Sequence, residues 1–594
     1  MTDTIPKRLF DQARIRPEAF AYFEKRGGHW KGTTWKTYAS EVRRAARALV
    51  ALGFAPGDRL CILGSNRSEW AIADLAAMTA GGAPAGIYTT CSKEEVHYIV
   101  HHAEAPIVVV ENKDQWEKIR LKRGELPKLR HVVLMRDAGA VDDPMVLSWE
   151  AFLAKSEGAD DKEIDRRVEA LEPTGLATLI YTSGTTGPPK GVMLSHENLA
   201  WTARNAQEMT GGHSRDVSLS YLPLSHIAEQ MFTLHGPCTM GSCVYYAESI
   251  LKVADNLKEV RPTVFFGVPR IWEKFHAAIS GKLALATGAK AKIASFARHV
   301  GTQVADYRNR GEPLPLALAL QYDLASRLVF KKLREAIGLD RARVLVSGAA
   351  PIAKEVIQFF ASLDLIVLEV YGQSEDTGPT SFNRAGRTRF GSVGPAIPGV
   401  EVKIAEDGEI LVKGPNVFLG YFKEPEATAE TLRDGYLCSG DLGEFDRDGF
   451  LFITGRKKDI LITAGGKNIA PKNIESALKN HGLVGEAVVI GDRRKYLTAL
   501  VSLDAEAAAA YAKTHGLDPQ KLSDDPGVRA DVQRAIDEIN ATLARVETVK
   551  KFTITKRPFS IEAGELTPTL KVKRKIVNQN FASEIEAMYA GDEG

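Results

Sequence analysis

YTSGTTGPPKGVMLSH, residues 181–196, decides how the rest of the chain is read. It follows an apolar, β-branched run, LATLIYT, and precedes a helix-like stretch. Physically it is an anion cradle. Gly184, Gly187 and Gly191 let backbone N–H groups approach phosphate oxygens. Thr182, Ser183, Thr185 and Thr186 add hydroxyl donors, and Lys190 adds a point charge. The spacing is not GxxxxGK[ST]: Pro189 stands five residues after Gly184, and Gly191 follows Lys190. That disfavours a P-loop kinase or ATPase. The bland alternative is a Gly/Thr-rich turn with no ligand. An unbroken run of such residues from Tyr181 to Gly191 argues against it.

Around this loop the chain has 594 residues, too many for one hydrophobic core, so two or more domains are expected. Its composition, 44% hydrophobic and 26% charged, is that of a globular protein. A net charge of only +2 gives no global field toward nucleic acid or an anionic membrane. Five cysteines (Cys61, Cys91, Cys238, Cys243, Cys438) form no CxxC pair, which argues against a disulfide framework and a zinc site. A reduced, cytoplasmic setting is expected. MTDTIPKRLFDQARIRPEAF has no apolar core after its charges and does not read as a signal peptide. No apolar run reaches the roughly 18 residues of a spanning helix. Peripheral membrane contact needs only an amphipathic face and stays open.

The first 180 residues alternate helical and strand-like patterns. RLCILG (59–64) and PIVVVEN (106–112) read as buried strands, and EVRRAARALVALG (41–53) as an amphipathic helix ending on glycine. Such alternation predicts a layered α/β domain. From about 275 to 340 the chain is helical and Ala-rich. Strand signals return in VLVSG (344–348) and LIVLEVYG (365–372), followed by short antiparallel strands over 399–422 with Asp-Gly and Lys-Gly turns. After TGRKKDILI the chain restarts, with a helix over Pro471–Leu478 and strands at EAVVIGD and LTALVSL. A domain boundary is expected at Gly455–Asp459, leaving enough chain for a small α/β domain.

YTSGTTGPPKG resembles the phosphate loop of the adenylate-forming enzymes: acyl-CoA synthetases, luciferases and the adenylation domains of peptide synthetases. Other motifs of that family follow in order. YLPLSHIAEQ (221–230) is similar to the motif beside the acyl site. SGAAP (347–351) and VYGQSEDTG (370–378) resemble the adenine and magnesium motifs. YLCSGDLGEFDRDGFLFITGRKKD (436–459) is similar to the ribose and hinge region, and ITAGGKNIAPKNIE (462–475) to the glycine-rich loop of the small domain. ELTPTLKVKRK (565–575) aligns with the segment carrying the catalytic lysine. The resemblance implies a large domain of layered α/β subdomains with a β-barrel-like part over 1–455. It implies a small mobile C-terminal α/β domain over 456–594, hinged at 456–459.

The resemblance also implies roles. Acyl activation sets a carboxylate against an α-phosphate, so the site must neutralise charge and align the attack. Glu375 resembles the family's Mg2+ ligand, with Thr182 nearby. Gly348, Ala349, Ala350 and Tyr371 resemble the walls around adenine, within a nucleotide site that extends through Gly372, Gln373 and Ser374. Asp441 resembles the ribose-binding carboxylate, and Arg456 its partner. Ser439 stands where threonine is commoner. Lys571, in PTLK where many relatives read PxGK, is the expected catalytic lysine, with Lys573 and Lys575 close by. Lys458 is the expected hinge, and Gly465, Gly466 and Lys467 the loop that lines the channel for CoA's pantetheine arm. His226, Gln230 and Gly267 fall at the acyl site and its gate; some long-chain relatives carry a gate tryptophan near the place of Gln230. His226 is not expected to act as a base, since a carboxylate nucleophile is already ionised.

TVFFGVPRIWEK (263–274), the helical stretch after it, and VYGQSEDTGPTSFN are similar to the long-chain, bubblegum-type synthetases. Phe232, Phe265 and Phe266 are candidates for an apolar tunnel. The implied activity is ligation of a fatty acid to CoA with ATP and Mg2+. The alternatives are a fatty acyl-AMP ligase delivering to a carrier protein, and an inactive nucleotide-binding scaffold.

Overall fold

The structure, a computed structural model, describes residues 3–182, 188–464, 467–567 and 571–590. Its centre is an eight-stranded sheet. The strand order is Gly420–Tyr421, Lys190–Ser195, Leu176–Thr182, Ala83–Ile87, Arg59–Leu63, Ile107–Val110, His131–Leu134, Val146–Ser148. The last six run parallel. Parallel strands are covered on both faces, which is why RLCIL and IVVV read as continuous apolar runs. The helix Ser68–Thr79 is buried at every residue. Of its two buried carboxyls, Glu69 and Asp74, Glu69 pairs with Arg67 and Arg136.

The sequence predicts a helix soon after the glycine-rich loop. The structure first inserts the strand Lys190–Ser195, antiparallel to Leu176–Thr182, with Thr182 opposite Lys190. Val192 and Leu194 alternate into the core, a period-2 signal hidden behind two prolines. The helix His196–Thr210 follows, capped reciprocally by Ser195 and Asn198.

Two further sheets flank the site. One pairs Val217–Ser220, Cys243–Tyr246, Phe20–Arg26 and His29–Thr34; the other pairs Val264–Gly267, Val344–Ser347, Val367–Tyr371 and Ser381–Phe382. The expected barrel-like part is instead an open sheet. Glu401–Ile404, Glu409–Lys413, Tyr436–Phe445 and Leu432–Arg433 lie side by side, and Leu451–Arg456 pairs with Tyr436–Phe445. Its edge strand Glu401–Ile404 carries the Glu401–Lys403 ion pair, and a charged edge resists closure. The Asp407–Gly408 turn forms as predicted, with Gly408 at φ +86°.

The C-terminal part builds its own cores from residues between Leu461 and Met588. It contains the predicted helix Pro471–Leu478 and a three-stranded sheet of Val484–Ile490, Leu497–Leu503 and Val549–Ile554. It touches the large part through ion pairs: Arg270–Asp504 at 2.5 Å, Lys274–Glu506 at 3.3 Å and Lys573–Glu95 at 3.9 Å.

Candidate active site

The Gly-rich loop is closed at its base by the Thr182–Lys190 pair; Ser183, Gly184, Thr185, Thr186 and Gly187 lie outside the described residues. Gly191 holds the base shut. A Cβ there would sit 3.3 Å from the Tyr181 ring, and its carbonyl accepts from Phe422 N–H at 2.8 Å. The Lys190 ammonium lies 4.9 Å from the centre of the Tyr421 ring.

Tyr421 reaches further. Its hydroxyl donates to Glu375 Oε1 at 2.8 Å. Glu375 sits in the short turn Ser374–Asp376, and its carbonyl accepts from Phe418 N–H at 2.9 Å. Beneath it Asp376 is fully buried, accepts from Gln373 N–H at 2.8 Å and from the Thr380 hydroxyl, and burial pushes its carboxyl up to about 8. Gly372 is demanded by this turn, because a Cβ would fall 1.5 Å from the Gly378 carbonyl oxygen. Among the described residues no group of three or more His, Cys, Asp or Glu side chains could hold a metal ion. One carboxylate, Glu375, fits an Mg2+ that arrives on ATP and keeps most of its oxygens from phosphate and water.

Tyr371 and Arg456 converge on Asp441. The Tyr371 hydroxyl donates to Oδ2 at 2.9 Å, and Arg456 Nε to Oδ1 at 2.5 Å. Asp441 and Arg456 face each other across antiparallel strands, so the sheet register fixes the pair. Burial works against the Arg456 charge, yet Asp441 outweighs it and raises the guanidinium further. Burial, then Asp441, pushes the Tyr371 phenol well above its usual value. The Ser439 hydroxyl accepts from Asp441 N–H at 3.1 Å, and Gln373 Nε2 donates to the Ser439 carbonyl at 3.4 Å.

Gly348 and Ala349 end the strand Val344–Ser347. A Cβ on Gly348 would meet Val370 Cγ1 at 2.5 Å, so neighbouring-strand packing requires glycine here. Ala349 is left-handed at φ 66°, and Ala350 follows it in the turn.

Lys571 enters this group from the C-terminal part. Its N–H donates to Thr567 Oγ1 at 3.0 Å and its carbonyl accepts from Thr567 N–H at 2.7 Å. Crowding by protein, then the like charges of Arg456 and Lys472, pull its ammonium down to about 8, against Asp441 and Glu375. The residue still meets solvent at the cleft wall, which softens that depression. Its neighbours look elsewhere: Lys573 faces Glu95, and Arg574 pairs with Glu475.

His226 caps the helix Ile227–Gln230, with Nδ1 accepting from Ala228 N–H at 3.2 Å. Burial, then the Lys571 charge, lowers it to about 4, so the ring is neutral with its proton on Nε2. Gln230 is fully buried. Its amide donates to the Leu224 carbonyl at 3.0 Å and accepts from His235 Nε2 at 3.4 Å, so it braces the turn 224–227 that leads into its helix. Gly267 ends its strand against Trp272, whose Nε1 donates to the Gly267 carbonyl at 3.0 Å. A Cβ on Gly267 would lie 2.6 Å from that nitrogen. Phe232 and Phe266 stack at 4.9 Å, while Phe265 turns into the core against Trp272.

Lys458 is solvent-exposed in the turn Lys457–Asp459, and the protein crowding its ammonium on one side, then the Arg456 charge, lowers its pKa. Lys457 before it is tied back to Asp407 and Glu409 at 2.6 and 2.8 Å. Gly465 and Gly466 lie outside the described residues. Lys467 is exposed and exchanges hydrogen bonds with Thr463 in its own hairpin.

Three site residues escaped the sequence reading. Tyr421 offers only GYF after a strand run. Asn66 clamps the segment 222–224 at the start of the quoted motif: its Nδ2 donates to Leu222 O at 2.6 Å and its Oδ1 accepts from Leu224 N–H at 3.1 Å. Glu229, fully buried inside the quoted motif, accepts from Ser220 and Thr233 hydroxyls, both at 2.7 Å, and burial pushes it up to about 7. An acid flanked by Ala and Gln in a buried motif was the available signal.

A family model described as AMP-binding enzyme matches residues 9–422, and one described as AMP-binding enzyme C-terminal domain matches 458–593. The chain is 38% identical over 604 residues to the long-chain-fatty-acid–CoA ligase ACSBG2 of Xenopus laevis, covering 96% of this chain and 81% of that protein. It is 36% identical over 596 residues to the long-chain-fatty-acid–CoA ligase FadD15 of Mycobacterium tuberculosis, covering 99% and 97%. The anthranilate CoA ligase AuaEII in complex with anthranoyl-AMP superposes with a TM-score of 0.73 at 20% identity, covering 98% of each chain, a likeness of fold. With the motifs in order and both parts matched, the chain belongs to the AMP-binding, adenylate-forming enzymes, in the bubblegum-like branch of the long-chain fatty acyl-CoA ligases.

Proposed function

We propose that this chain is an ATP-dependent long-chain fatty acid–CoA ligase. It joins a fatty acid to ATP as acyl-AMP with release of pyrophosphate, then passes the acyl group to CoA with release of AMP. The observation that carries the reading is the convergence of Lys571, from the C-terminal part, with Arg456, Asp441 and Glu375 from the large part.

In the first step the fatty carboxylate attacks the α-phosphorus, and negative charge gathers on the phosphate oxygens. Lys571 stabilises that charge from one side, and Lys190 with the Thr182–Gly187 loop holds the β- and γ-phosphates. Asp441 accepts from the ribose hydroxyls, and Arg456 and Tyr371 hold its carboxylate in place. Gly348–Ala350 and Tyr371–Ser374 wall the base. Glu375, with Thr182, would hold an Mg2+, which would supply neutralisation of phosphate charge. Tyr421 acts as a positioning residue, since it links Glu375 to Lys190. His226 and Gly267 line the acyl site in front of Gln230, and Phe232 with Phe266 forms an apolar wall. Neutral His226 donates from Nε2 and takes no proton.

The boundary falls between residues 455 and 456. The ends of the two sets of cores, Leu451 and Leu461, support it. Rotation about Lys458 withdraws Lys571 and brings the Gly465–Lys467 loop to the channel for CoA. Five unpaired cysteines agree with a reducing cytoplasm. Among the described residues no helix is long and apolar enough to cross a membrane.

The test is ATP–pyrophosphate exchange with acids of rising chain length, followed by free CoA or acyl carrier protein. Exchange that peaks with long-chain acids, and thioester formation with free CoA, support the reading. Transfer to the carrier alone overturns the second half, and no exchange with any acid overturns the whole.

A further inference from the structure

Seven of the sixteen large hydrophobic side chains exposed among the described residues lie between Leu285 and Leu328, so the exposure is concentrated and not scattered. They belong to one helical hairpin. The helices Gly288–Arg310 and Leu316–Ala325 pack through Ala297, Val300 and Val304 against Leu318, Ala325 and Phe330. Leu316–Ala325, LALALQYDLA, is apolar on both faces. Leu318 and Ala325 face the hairpin core, while Leu316, Leu320 and Leu324 are 80%, 67% and 50% exposed. Their spacing of four puts them on one stripe. The outer stripe shares its surface with Gln321 and the Asp323–Arg327 ion pair, and three exposed leucines in one row opposite a packed face leave this face without a partner among the described residues.

Charge identifies the partner. From Lys274 to Ala305 the chain has no Asp or Glu. In that stretch Lys282, Lys290 and Lys292 are exposed beside Leu285, Ile293 and Phe296 and make no ion pair with a described residue. Lys331 and Lys332 extend the pattern just past Leu328. The chain as a whole is near neutral, so the basic bias is local. Exposed leucines flanked by unpaired lysines fit the interface of an anionic bilayer, where apolar side chains enter the acyl boundary and ammonium groups meet lipid phosphate. The hairpin also connects to the acyl site. The 16-residue helix Pro269–Ala284 starts two residues after Gly267 and ends at the hairpin, a rise of about 24 Å.

We propose that the hairpin, with the end of the helix that leads into it (residues 282–332), is a docking surface for an anionic lipid bilayer, seated through Leu316, Leu320 and Leu324 and held by Lys282, Lys290 and Lys292. This stands whether or not the ligase reading holds. The test is cosedimentation of the full chain with vesicles of phosphatidylcholine containing about one-third phosphatidylserine. Wild-type protein is expected to pellet with them, more weakly with pure phosphatidylcholine, and to be released at about 0.5 M salt. Leu320→Asp with Leu324→Asp should weaken binding at least about tenfold. These side chains touch solvent, so vesicle-free ligation and the circular dichroism spectrum should be unchanged. Lys290→Glu with Lys292→Glu should remove the preference for anionic lipid. Wild-type protein that stays in the supernatant overturns the proposal, as does equal binding by the leucine variant. A wild-type dimer that the leucine variant converts to monomer, without vesicle binding, assigns the face to a second copy and also overturns it.

Discussion

The Tyr421 hydroxyl donates to Glu375 Oε1 at 2.8 Å while the same ring lies under the Lys190 ammonium. The two residues are 46 positions apart in sequence. The strand Gly420–Tyr421 pairs with Lys190–Ser195, which sets Tyr421 opposite Val192 and near Lys190, and Phe418 N–H donates to the Glu375 carbonyl at 2.9 Å, which draws the Glu375 turn to the same strand. One phenol therefore couples Lys190, proposed for phosphate, to Glu375, proposed for Mg2+.

Tyr421→Phe keeps the ring under Lys190 and removes only the hydroxyl. A hydrogen bond to a charged acceptor contributes about 1.5–3 kcal/mol, so the rate of adenylation should fall roughly tenfold or more. The loss should be partly rescued by raised Mg2+, with the KM for the fatty acid unchanged. Tyr421→Leu also removes the cation–π contact and should raise the KM for ATP further. Both are read by ATP–pyrophosphate exchange across a Mg2+ series. A uniform loss insensitive to Mg2+ would mean that Tyr421 only supports the fold.

Lys571→Ala should lower adenylation by about 10²–10³, the usual cost of losing one oriented charge at a developing oxyanion. Thioester formation from supplied acyl-AMP should be largely spared, because the lysine serves only the first state. Lys575→Ala should leave both steps near wild type. Lys573→Ala loses only the long Glu95 contact and should slow adenylation a few-fold at most. Equal loss of both half-reactions in Lys571→Ala would sink the assignment.

Much of the candidate site is legible because the residues proposed for it lie in short runs of sequence. The loop from Thr182 to Lys190, the QSE turn with Glu375, and SGD with Asp441 each carry their residues within one short run. The glycines are legible as glycines, but the packing that also requires them is not. Gly348 and Gly372 are held by Val370 and by the Gly378 carbonyl, contacts no local pattern states. Tyr421 on Glu375, Asn66 on Leu224 and Arg270 on Asp504 arise only when distant strands and helices meet. The open sheet was misread for a related cause. Closure depends on whether two edges pair, and the exposed, charged edge at Glu401–Lys403 keeps them apart.

Glu229 should make stability depend on pH. Its folded-state pKa, about 7, lies above the ordinary 4.5, so the native chain keeps a proton that the unfolded chain releases. Stability from this group is therefore full below pH 4.5 and lost as pH rises toward 7, by up to roughly 3 kcal/mol. Buried His226 and His235, lowered to about 4 and 3, act in the opposite sense up to their ordinary 6.5 and mask the slope there. The difference between wild type and Glu229→Gln isolates it. In urea unfolding at pH 5 and pH 8, wild type should lose more stability than Glu229→Gln over that interval. Parallel losses in the two proteins would show that Glu229 does not titrate here.

Arg270 joins the two parts of the molecule in the geometry that brings Lys571 to the site. It donates to Asp504 at 2.5 Å and to the Gly485 carbonyl at 3.2 Å, and Asp504 at the same time caps the helix Ala505–His515 through Glu506 and Ala507 N–H. The pair is partly exposed, with side chains 38% and 19% accessible, so it contributes no more than about 1 kcal/mol. A shift of that size changes the equilibrium constant between the arrangements by about fivefold, and the population of one of them by at most that factor. Arg270→Ala should therefore slow adenylation two- to fivefold, by roughly the lost population, and leave thioester formation from supplied acyl-AMP equal or slightly faster. Arg270→Lys, which keeps the charge but not the second hydrogen bond, should fall between. Asp504→Ala is the poorer probe, because it also uncaps a helix. If Arg270→Ala slows the thioester step as much as adenylation, the contact stabilises the fold as a whole and does not bias one arrangement over the other.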